Sequence, residues 1–408
     1  MMKSPFYNSI IVISILLSSC YLSDAQEPEL SLQLKTESKI RCGADRTELY
    51  FPLIQGKKIA LVANHSSRIG NTHLADSLLG AGMLVKHIYA PEHGFRGEEE
   101  AGAHIKDGVD QKSGLQLFSL HGDQKKPSVA SLSGIEFVLF DIQDVGARFY
   151  TYISTLHYVM QACAEQNVPV LILDRPNPNG FYVDGPVLEM AFKSFVGMHP
   201  VPIVHGMSMA EYANMLNQEG WLGAGLKCDL RWVLCDRWDH LSAYECPVPP
   251  SPNLPNNAAI YLYPSLCLFE GTVVSVGRGT DRPFQVIGYP KHPVGSLQFT
   301  PKSMKSSLNP PYEGKLCRGH DLKDFGSFYF TSSGELYLDW LIGMYEVAPD
   351  KGGFFSSSDF FDKLAGGKEL REQIIKGWDA EKIRASWQPK LDEYRLLRKK
   401  YVLYPDFD

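Results

Sequence analysis

Four short apolar runs, each followed by polar residues, constrain the fold of this chain most strongly. They lie at residues 57–65, 83–90, 135–140 and 168–173. Near-continuous apolar runs of this length are typical of strands buried on both faces, as in a parallel sheet. Segments of helical character lie between them, so strands and helices alternate along the chain. The pattern predicts an open α/β sheet that is Rossmann-like in the loose sense.

Three segments between or after these runs have the features of helices. Residues 72–79 form the first. In the second, residues 151–166, apolar side chains recur at helical spacing on one stripe. The third begins after Ser208, which forms a capping box with Glu211, and extends to about Gln218.

Polar side chains follow each of the four predicted strands. Open α/β sheets bind their ligands beyond the carboxyl ends of the strands, so we expect a functional site where these side chains meet. A single Asp or Asn after a strand more often forms a turn or caps a helix, but four successive polar ends favour a site. The residues are Asn64 and His65, Glu92 and His93, Asp141 and Asp144, and Asp174 and Arg175, with Arg96 and Arg148 close behind.

Several common functional classes are excluded by the sequence. The chain has no G-x-G-x-x-G after its first strand, as a dinucleotide site requires, and no P-loop for a nucleotide phosphate. It also has no G-x-S-x-G elbow of a serine α/β-hydrolase and no H-E-x-x-H of a zinc protease. Its formal net charge of −6 provides no basic excess for binding phosphates. We therefore predict no cofactor, no metal and no nucleic-acid partner. A metal cluster of His65, His93 and Asp144 remains an alternative.

The first residues resemble an export signal with a lipid attachment site. Lys3 is followed by an apolar run at residues 10–17, too short to span a bilayer, and then by Leu17-Ser18-Ser19-Cys20. We expect residues 1–19 to be a signal peptide, Cys20 to be lipidated and residues 20–42 to be a tether. The protein would then be an exported lipoprotein, periplasmic or anchored to the outer membrane and attached to the membrane through its lipid alone. The alternative is an ordinary signal peptide that contains a cysteine.

The chain contains eight cysteines, and none forms a C-x-x-C pair. A zinc ribbon or a thioredoxin-type site therefore has no support. Export permits disulfides, and Cys228, Cys235 and Cys246 are near enough in sequence to pair. We expect most of the others to be buried free thiols.

The sequence changes character at residues 247–256, where prolines exclude regular structure. Beyond this connector, strands and amphipathic helices are interleaved. We predict a Rossmann-like domain at residues 43–258 and a smaller α+β domain at 259–408. Within the second domain the predicted strands are 273–276 and 327–330, and the predicted helices are 335–345 and 379–398.

Five blocks of sequence, in order, carry a family resemblance. They are PEHGFRG at 91–97, FDIQDVGARFYTY at 140–152, LDRPNPNG at 173–180, PSPNLP at 250–255, and EGT followed by GRGT within 270–280. The set is similar to the signature of the NamZ family of exo-β-N-acetylmuramidases and covers about residues 43–408. The resemblance implies a Rossmann-like domain, a smaller carboxyl-terminal domain and a cleft between them. It also implies release of terminal N-acetylmuramic acid (MurNAc) from the non-reducing ends of peptidoglycan fragments such as MurNAc–GlcNAc.

Glycoside hydrolysis needs a carboxylic acid that protonates the leaving oxygen, and usually a second carboxylate. We assign the acid to Glu92, to which the resemblance also points, because apolar neighbours can raise its pKa. Asp144, Asp174 and Glu270 all qualify as the second group. The acetamido oxygen of the substrate can also attack the anomeric carbon, in which case a nearby Asp or Tyr152 would orient it. The sequence leaves these routes open.

The lactyl carboxylate of muramic acid calls for a guanidinium, which binds carboxylate through paired hydrogen bonds. The candidates are Arg278, Arg282, Arg148 and Arg175, and Arg278 lies in a glycine-flanked loop that can approach a ligand closely. A structural pairing of Arg278 with Glu270 or Asp281 is the alternative. The full set of predicted substrate-binding residues is Asn64, His93, Arg96, Arg148, Tyr152, Arg175, Glu270, Arg278 and Arg282.

Two rival functions remain at this point. One is a lipoprotein that holds a cell-wall fragment without cleaving it, and the other is a metal-dependent hydrolase. Clustered carboxylates favour the glycosidase over mere binding, because an anionic substrate gains nothing from nearby Asp and Glu. The sequence gives no oligomeric state.

Overall fold

The structure is a computed structural model that describes residues 39–92, 94–96, 107–325 and 333–407. Cys20, the predicted signal peptide, His93 and the predicted strand at 327–330 lie outside the described residues. No helix within these described ranges is long and apolar enough to cross a membrane.

The amino-terminal half is built on a sheet of seven strands in the order β5-β6-β4-β1-β7-β8-β9. All neighbouring strands are parallel except β5 and β6, which are antiparallel. The strands are β1 (Lys58–Ala63), β4 (Leu84–Ala90), β5 (Gly108–Val109), β6 (Gln116–Ser119), β7 (Phe137–Asp141), β8 (Val170–Leu173) and β9 (Leu230–Val233), and β2 (Arg68–Ile69) and β3 (Thr72–His73) form a separate hairpin.

The central strands of this sheet are covered on both faces. Every residue of β7 and β8 is buried, and so are five of the six residues of β1. The predicted parallel α/β sheet is therefore confirmed, with all four apolar runs forming strands.

The helices of the amino-terminal half lie against this sheet. They are α1 (Thr47–Ile54), α2 (Leu74–Gly80), α3 (Val129–Leu132), α4 (Tyr152–Gln166) and α5 (Met209–Gln218). The capping box of α5 is present, with the Glu211 amide donating to Ser208 Oγ and the Ser208 amide to Glu211 Oε2. The predicted helices at 151–166 and after Ser208 are confirmed, and the one at 72–79 begins two residues later because Thr72 and His73 pair with β2.

The carboxyl-terminal half combines helices with a small antiparallel sheet of order β10-β12-β11. Its apolar side chains share one continuous core with the amino-terminal half. The predicted division into domains at residue 258 stays a prediction. The strands are β10 (Val286–Tyr289), β11 (Leu297–Phe299) and β12 (Cys317–Asp321), and the helices are α6 (Asn257–Leu266), α7 (Asp339–Glu346), α8 (Ser358–Ala365), α9 (Glu369–Ile375) and α10 (Ala380–Arg398).

The predicted strand at 273–276 is wrong. Within it, only Ser275 pairs, in an isolated bridge to Gly288. The Thr272 hydroxyl accepts from the Val274 amide at 3.1 Å, and Ser275 Oγ accepts from the Gly277 amide at 3.2 Å. These local side-chain bonds compete with a strand ladder and turn the chain.

The helix predicted at 335–345 begins instead at Asp339. The backbone just before Asp339 is held out of the helix by hydrogen bonds to side chains that are distant in sequence. The Leu336 amide donates to Asp184 Oδ2 at 2.7 Å, and the Tyr337 amide donates to Ser265 Oγ at 2.9 Å. The helix predicted at 379–398 is confirmed, with Asp379 as its N-cap.

Arg148 joins the two halves from inside the core. Its fully buried guanidinium donates to the carbonyls of Pro186 and Val201, at 2.8 and 2.7 Å, and to that of Leu364 in α8 at 2.8 Å. Burial lowers the pKa of Arg148 to about 9. The three carbonyls compensate the buried charge, so the contact is specific to a guanidinium.

We expect Arg148→Met to lower the free energy of unfolding by about 2–4 kcal/mol, because buried carbonyls lose their donor. Urea denaturation followed by circular dichroism measures the change. Arg231→Met is the matched control, since Arg231 pairs with Asp229 at the exposed surface and should change the midpoint little. Similar midpoints for the two variants would contradict the role assigned to Arg148.

Candidate active site

A cavity of ≈ 490 Å³ opens between the two halves of the chain. The amino-terminal half contributes one wall and the carboxyl-terminal half the other. The first wall consists of Glu92, Phe149, Tyr150, Thr151, Val196, Ser251, Asn253 and Leu254, and the second of Tyr263, Cys267, Glu270, Arg278, Phe284, Ser306, Ser307, Asn309, Pro311, Phe360 and Leu364.

Glu92 lies just beyond the carboxyl end of β4, half-buried in the first wall. The Thr151 hydroxyl donates to Glu92 Oε2 at 2.6 Å. Thr151 immediately precedes α4 and makes no capping bond with its side chain, so its hydroxyl is used for the glutamate instead. The Glu92 side chain is thereby fixed beside the amino-terminal end of α4.

Tyr152 connects the loop after β4 to the loop after β1. Asn64 Nδ2 donates to the Tyr152 hydroxyl at 2.8 Å, and this hydroxyl lies 3.4 Å from the Glu92 carbonyl oxygen. Asn64 Oδ1 in turn accepts from the Ser66 amide and hydroxyl. Burial, and then the Glu92 charge, raise the pKa of Tyr152. Tyr152 is therefore a neutral phenol that positions the loop carrying Glu92.

Asp144 is buried behind this wall and is not part of the cavity lining. Its Oδ2 accepts from the Gly146 amide at 2.7 Å and lies 3.8 Å from His205 Nε2. Its Oδ1 has no hydrogen-bond partner among the described residues. Burial raises the pKa of Asp144 to about 7. Burial thus shifts Asp144 towards its protonated form, and the side chain does not line the cavity.

Glu270 and Arg278 form an ion pair in the second wall, with Arg278 Nε 2.5 Å from Glu270 Oε1. The Cys267 thiol lies 3.7 Å from Glu270 Oε2. The Arg278 guanidinium also stacks over the Phe284 ring, 5.0 Å from its centroid. Arg278 thus pairs with Glu270, as expected for a structural arginine. It also faces the cavity, as expected for a substrate-binding arginine.

Asp174 and Arg175 lie away from the cavity. Asp174 Oδ2 accepts from the Tyr404 hydroxyl at 2.6 Å and Oδ1 from the Ala210 amide in α5 at 2.9 Å. Burial raises the pKa of Asp174 to about 6. Arg175 pairs with Asp141, with Nε 2.6 Å from Oδ1.

Three further arginines that the sequence placed in the substrate site are held elsewhere. Arg96 pairs with Asp110, with Nη2 2.7 Å from Oδ2. Arg282 pairs with Asp321, and Arg148 is enclosed by backbone carbonyls. None of the three lines the cavity, and their substrate-binding roles stay predictions without a contact to support them.

The residues of the alternative metal cluster are not brought together in the described chain. His65 Nε2 lies 2.7 Å from the Pro249 carbonyl oxygen, and Asp144 is held by Gly146. Among the described residues, no group of three His, Cys, Asp or Glu could hold a metal ion. His93, the third predicted ligand, lies outside them.

Several cavity residues were missed by the sequence reasoning. Tyr150 and Thr151 lie in the same block as Tyr152, and Ser251 and Asn253 lie in the proline-rich connector. The Tyr150 hydroxyl donates to the Pro250 carbonyl at 2.8 Å, which fixes that connector over the site. The connector at 247–256 contains no Gly and only one Ser. This scarcity of flexible residues was the signal that the connector packs against the rest of the protein.

Comparisons with known proteins agree with this arrangement. The model described as "Exo-beta-N-acetylmuramidase NamZ, N-terminal" matches residues 59–258, and that described as "Exo-beta-N-acetylmuramidase NamZ, C-terminal" matches residues 261–404. The chain is 35% identical, over 401 residues, to the peptidoglycan beta-N-acetylmuramidase NamZ of Bacillus subtilis (strain 168). The alignment covers 92% of this chain and 94% of that protein.

Two crystal structures of DUF1343 family proteins from Bacteroides fragilis are similar to this structure. One is 45% identical, with a TM-score of 0.84 and coverage of 90% of this chain and 100% of the other. The second is 26% identical, with a TM-score of 0.77 and coverage of 91% and 100%. Both halves of the chain and their arrangement are thus those of known relatives. The chain belongs to the NamZ family of exo-β-N-acetylmuramidases.

Proposed function

We propose that this protein is an exo-acting glycoside hydrolase that releases N-acetylmuramic acid from the non-reducing ends of peptidoglycan fragments. The observation that carries the proposal is one cavity with a positioned glutamate, Glu92, in one wall and the Glu270–Arg278 pair in the other. Family membership and the peptidoglycan-cleaving relative support the same reaction. Incubation with MurNAc–GlcNAc and mass analysis of the products is the direct test, and an intact disaccharide would favour the binding lipoprotein instead.

Glu92 acts as the general acid. It faces the cavity, where it can reach a glycosidic oxygen, and Thr151 fixes its Oε2. The hydrogen bond from Thr151 orients the carboxyl group, and the proton passes from this fixed group to the leaving oxygen.

Glu270 is the second carboxylate that meets the same cavity. Asp144 is buried behind the first wall, and Asp174 is engaged by Tyr404 and α5. A group that stabilises positive charge on the sugar, or activates water, must be near the ring. The cavity lining favours Glu270 for such a role, while attack by the substrate's own acetamido group remains the alternative route.

Replacing Glu92 by Gln keeps its shape but removes the transferable proton. We expect kcat on MurNAc–GlcNAc to fall by about 10²–10⁴-fold, the usual contribution of general acid catalysis. Glu165→Gln is the matched control, because Glu165 pairs with Lys126 at the surface and should leave kcat unchanged. The circular dichroism spectrum and Tm should stay the same in both variants.

A nitrophenyl glycoside separates acid catalysis from other effects. Its leaving group departs with little protonation, so the loss in Glu92→Gln should be much smaller on this substrate. Equal losses on both substrates would show that Glu92 does not act mainly as the acid. Near-full activity on the disaccharide would remove the assignment and make Glu270, the other carboxylate in the cavity lining, the next candidate.

Arg278 binds the lactyl carboxylate of the muramic acid. The guanidinium already binds one carboxylate, that of Glu270, through its Nε, and it faces the cavity. We expect Arg278→Ala to reduce kcat/KM on the muramic substrate by about 10–150-fold, corresponding to about 1.5–3 kcal/mol for a hydrogen bond to a charged group. Cleavage of the corresponding N-acetylglucosaminide, which lacks the lactyl group, should fall far less. An equal loss on both would assign Arg278 to the scaffold.

We further propose that the protein is an exported lipoprotein anchored through Cys20, in the periplasm or at the outer membrane. The support is the apolar run at 10–17 followed by Leu17-Ser18-Ser19-Cys20. A Cys20→Ala variant expressed in a Gram-negative host should leave the membrane fraction, since a lipid chain is its only expected attachment. Ser18→Ala, which keeps Cys20 and a small residue, is the control. Retention of Cys20→Ala in the membrane fraction would exclude this anchor.

A further inference from the structure

Cys42 and Cys235 face each other across a short antiparallel contact. Arg41 and Asp236 exchange two backbone hydrogen bonds, at 3.1 and 2.8 Å. In an antiparallel ladder the pair next to such a pair is not hydrogen-bonded, and its Cα atoms lie about 4.5 Å apart. In antiparallel pairing, the residue after Arg41 lies opposite the residue before Asp236, so Cys42 lies opposite Cys235. A disulfide spans Cα atoms about 4.4–6.8 Å apart, so this register suits a cross-link.

Both cysteines are free and buried in the structure. Cys42 lines a surface cavity of ≈ 640 Å³, which gives a small oxidant access to it. The neighbouring Cys235 thiol lowers the pKa of Cys42 against the effect of burial, and the Arg175 charge acts in the same direction. Since the thiolate is the nucleophile in disulfide exchange, Cys42 is suited to attack first.

We propose that Cys42 and Cys235 are a cross-linking site that closes to a disulfide in an oxidising compartment. The oxidant is a small-molecule disulfide that enters the cavity lined by Cys42. The Cys42 thiolate attacks one of its sulfurs, forms a mixed disulfide and releases one thiol. Cys235, after losing its proton, then attacks Cys42 Sγ and releases the second thiol. Two protein thiols are oxidised by two electrons, and one external disulfide is reduced to two thiols.

The cross-link closes a loop that contains all seven strands of the main sheet. A long closed loop constrains the unfolded chain strongly, so the oxidised protein should be more stable. The bond also fastens residues 41–43 to the segment directly after β9. Neither cysteine lines the cavity that holds Glu92, so cleavage of substrate should not depend on the bond.

Peptide mapping of the full-length protein tests this pairing without any substitution. The purified protein is treated with oxidised glutathione, alkylated in denaturant and digested without reduction. We expect a peptide pair joined through Cys42 and Cys235, lighter by about two hydrogen masses than the separate peptides. Cys246 provides the rival pairing, because burial and then the nearby Cys42 raise the pKa of its thiol, which places the two cysteines close together. A Cys42–Cys246 cross-link, or full alkylation of Cys42 and Cys235, would overturn the proposal.

Thermal unfolding provides a second measurement. The oxidised chain should melt at a higher temperature than the reduced chain, and this difference should vanish in Cys42→Ser and in Cys235→Ser. Cys317→Ser is the matched control, since Cys317 is also a buried free thiol but lies in β12, and the difference should persist there. Persistence of the difference in Cys42→Ser would likewise overturn the proposal.

Discussion

The buried ion pair between Asp141 and Arg175 organises the carboxyl edge of the main sheet. Asp141 ends β7 and Arg175 follows β8, and both are almost entirely inaccessible to solvent. Arg175 also donates to the Arg68 carbonyl at 3.0 Å, in β2. One guanidinium therefore joins the segment after β8 to the end of β7 and to the β2–β3 hairpin. Two charges at this depth are tolerated because they pair with each other, and Nη2 of Arg175 also binds the Arg68 carbonyl oxygen.

The active-site glutamate depends on this arrangement through a chain of contacts. Ser67 in the loop after β1 donates to the Asp141 carbonyl and accepts from the Asn64 amide. Asn64 binds the Tyr152 hydroxyl, which lies beside the Glu92 carbonyl. Buried polar groups thus help to determine the position of Glu92, and such groups specify geometry strictly because a lost partner is costly.

The sheet and its main helices were predictable because their signals are local. Apolar runs, the stripe of α4 and the capping box of α5 each lie within a few turns of chain. The polar groups at the strand ends were also predicted. The role of each polar group was not predictable. Asp141 is neutralised by Arg175, Asp174 binds α5 and Tyr404, and Glu92 faces the cavity. Three similar carboxylates differ through partners that are distant in sequence.

The catalytic acid and the loop that shapes the opposite side of the cavity belong to separate parts of the chain. Glu92 and Thr151, which carry the proposed proton transfer, belong to the wall fixed by the sheet. Ser306, Ser307, Asn309 and Pro311 belong to a loop of the opposite wall that carries no carboxylate of the site. Changes in the length or composition of that loop would alter which sugars or attached groups fit, with no displacement of the catalytic acid. This separation allows substrate range to diverge among related chains while the chemistry stays the same.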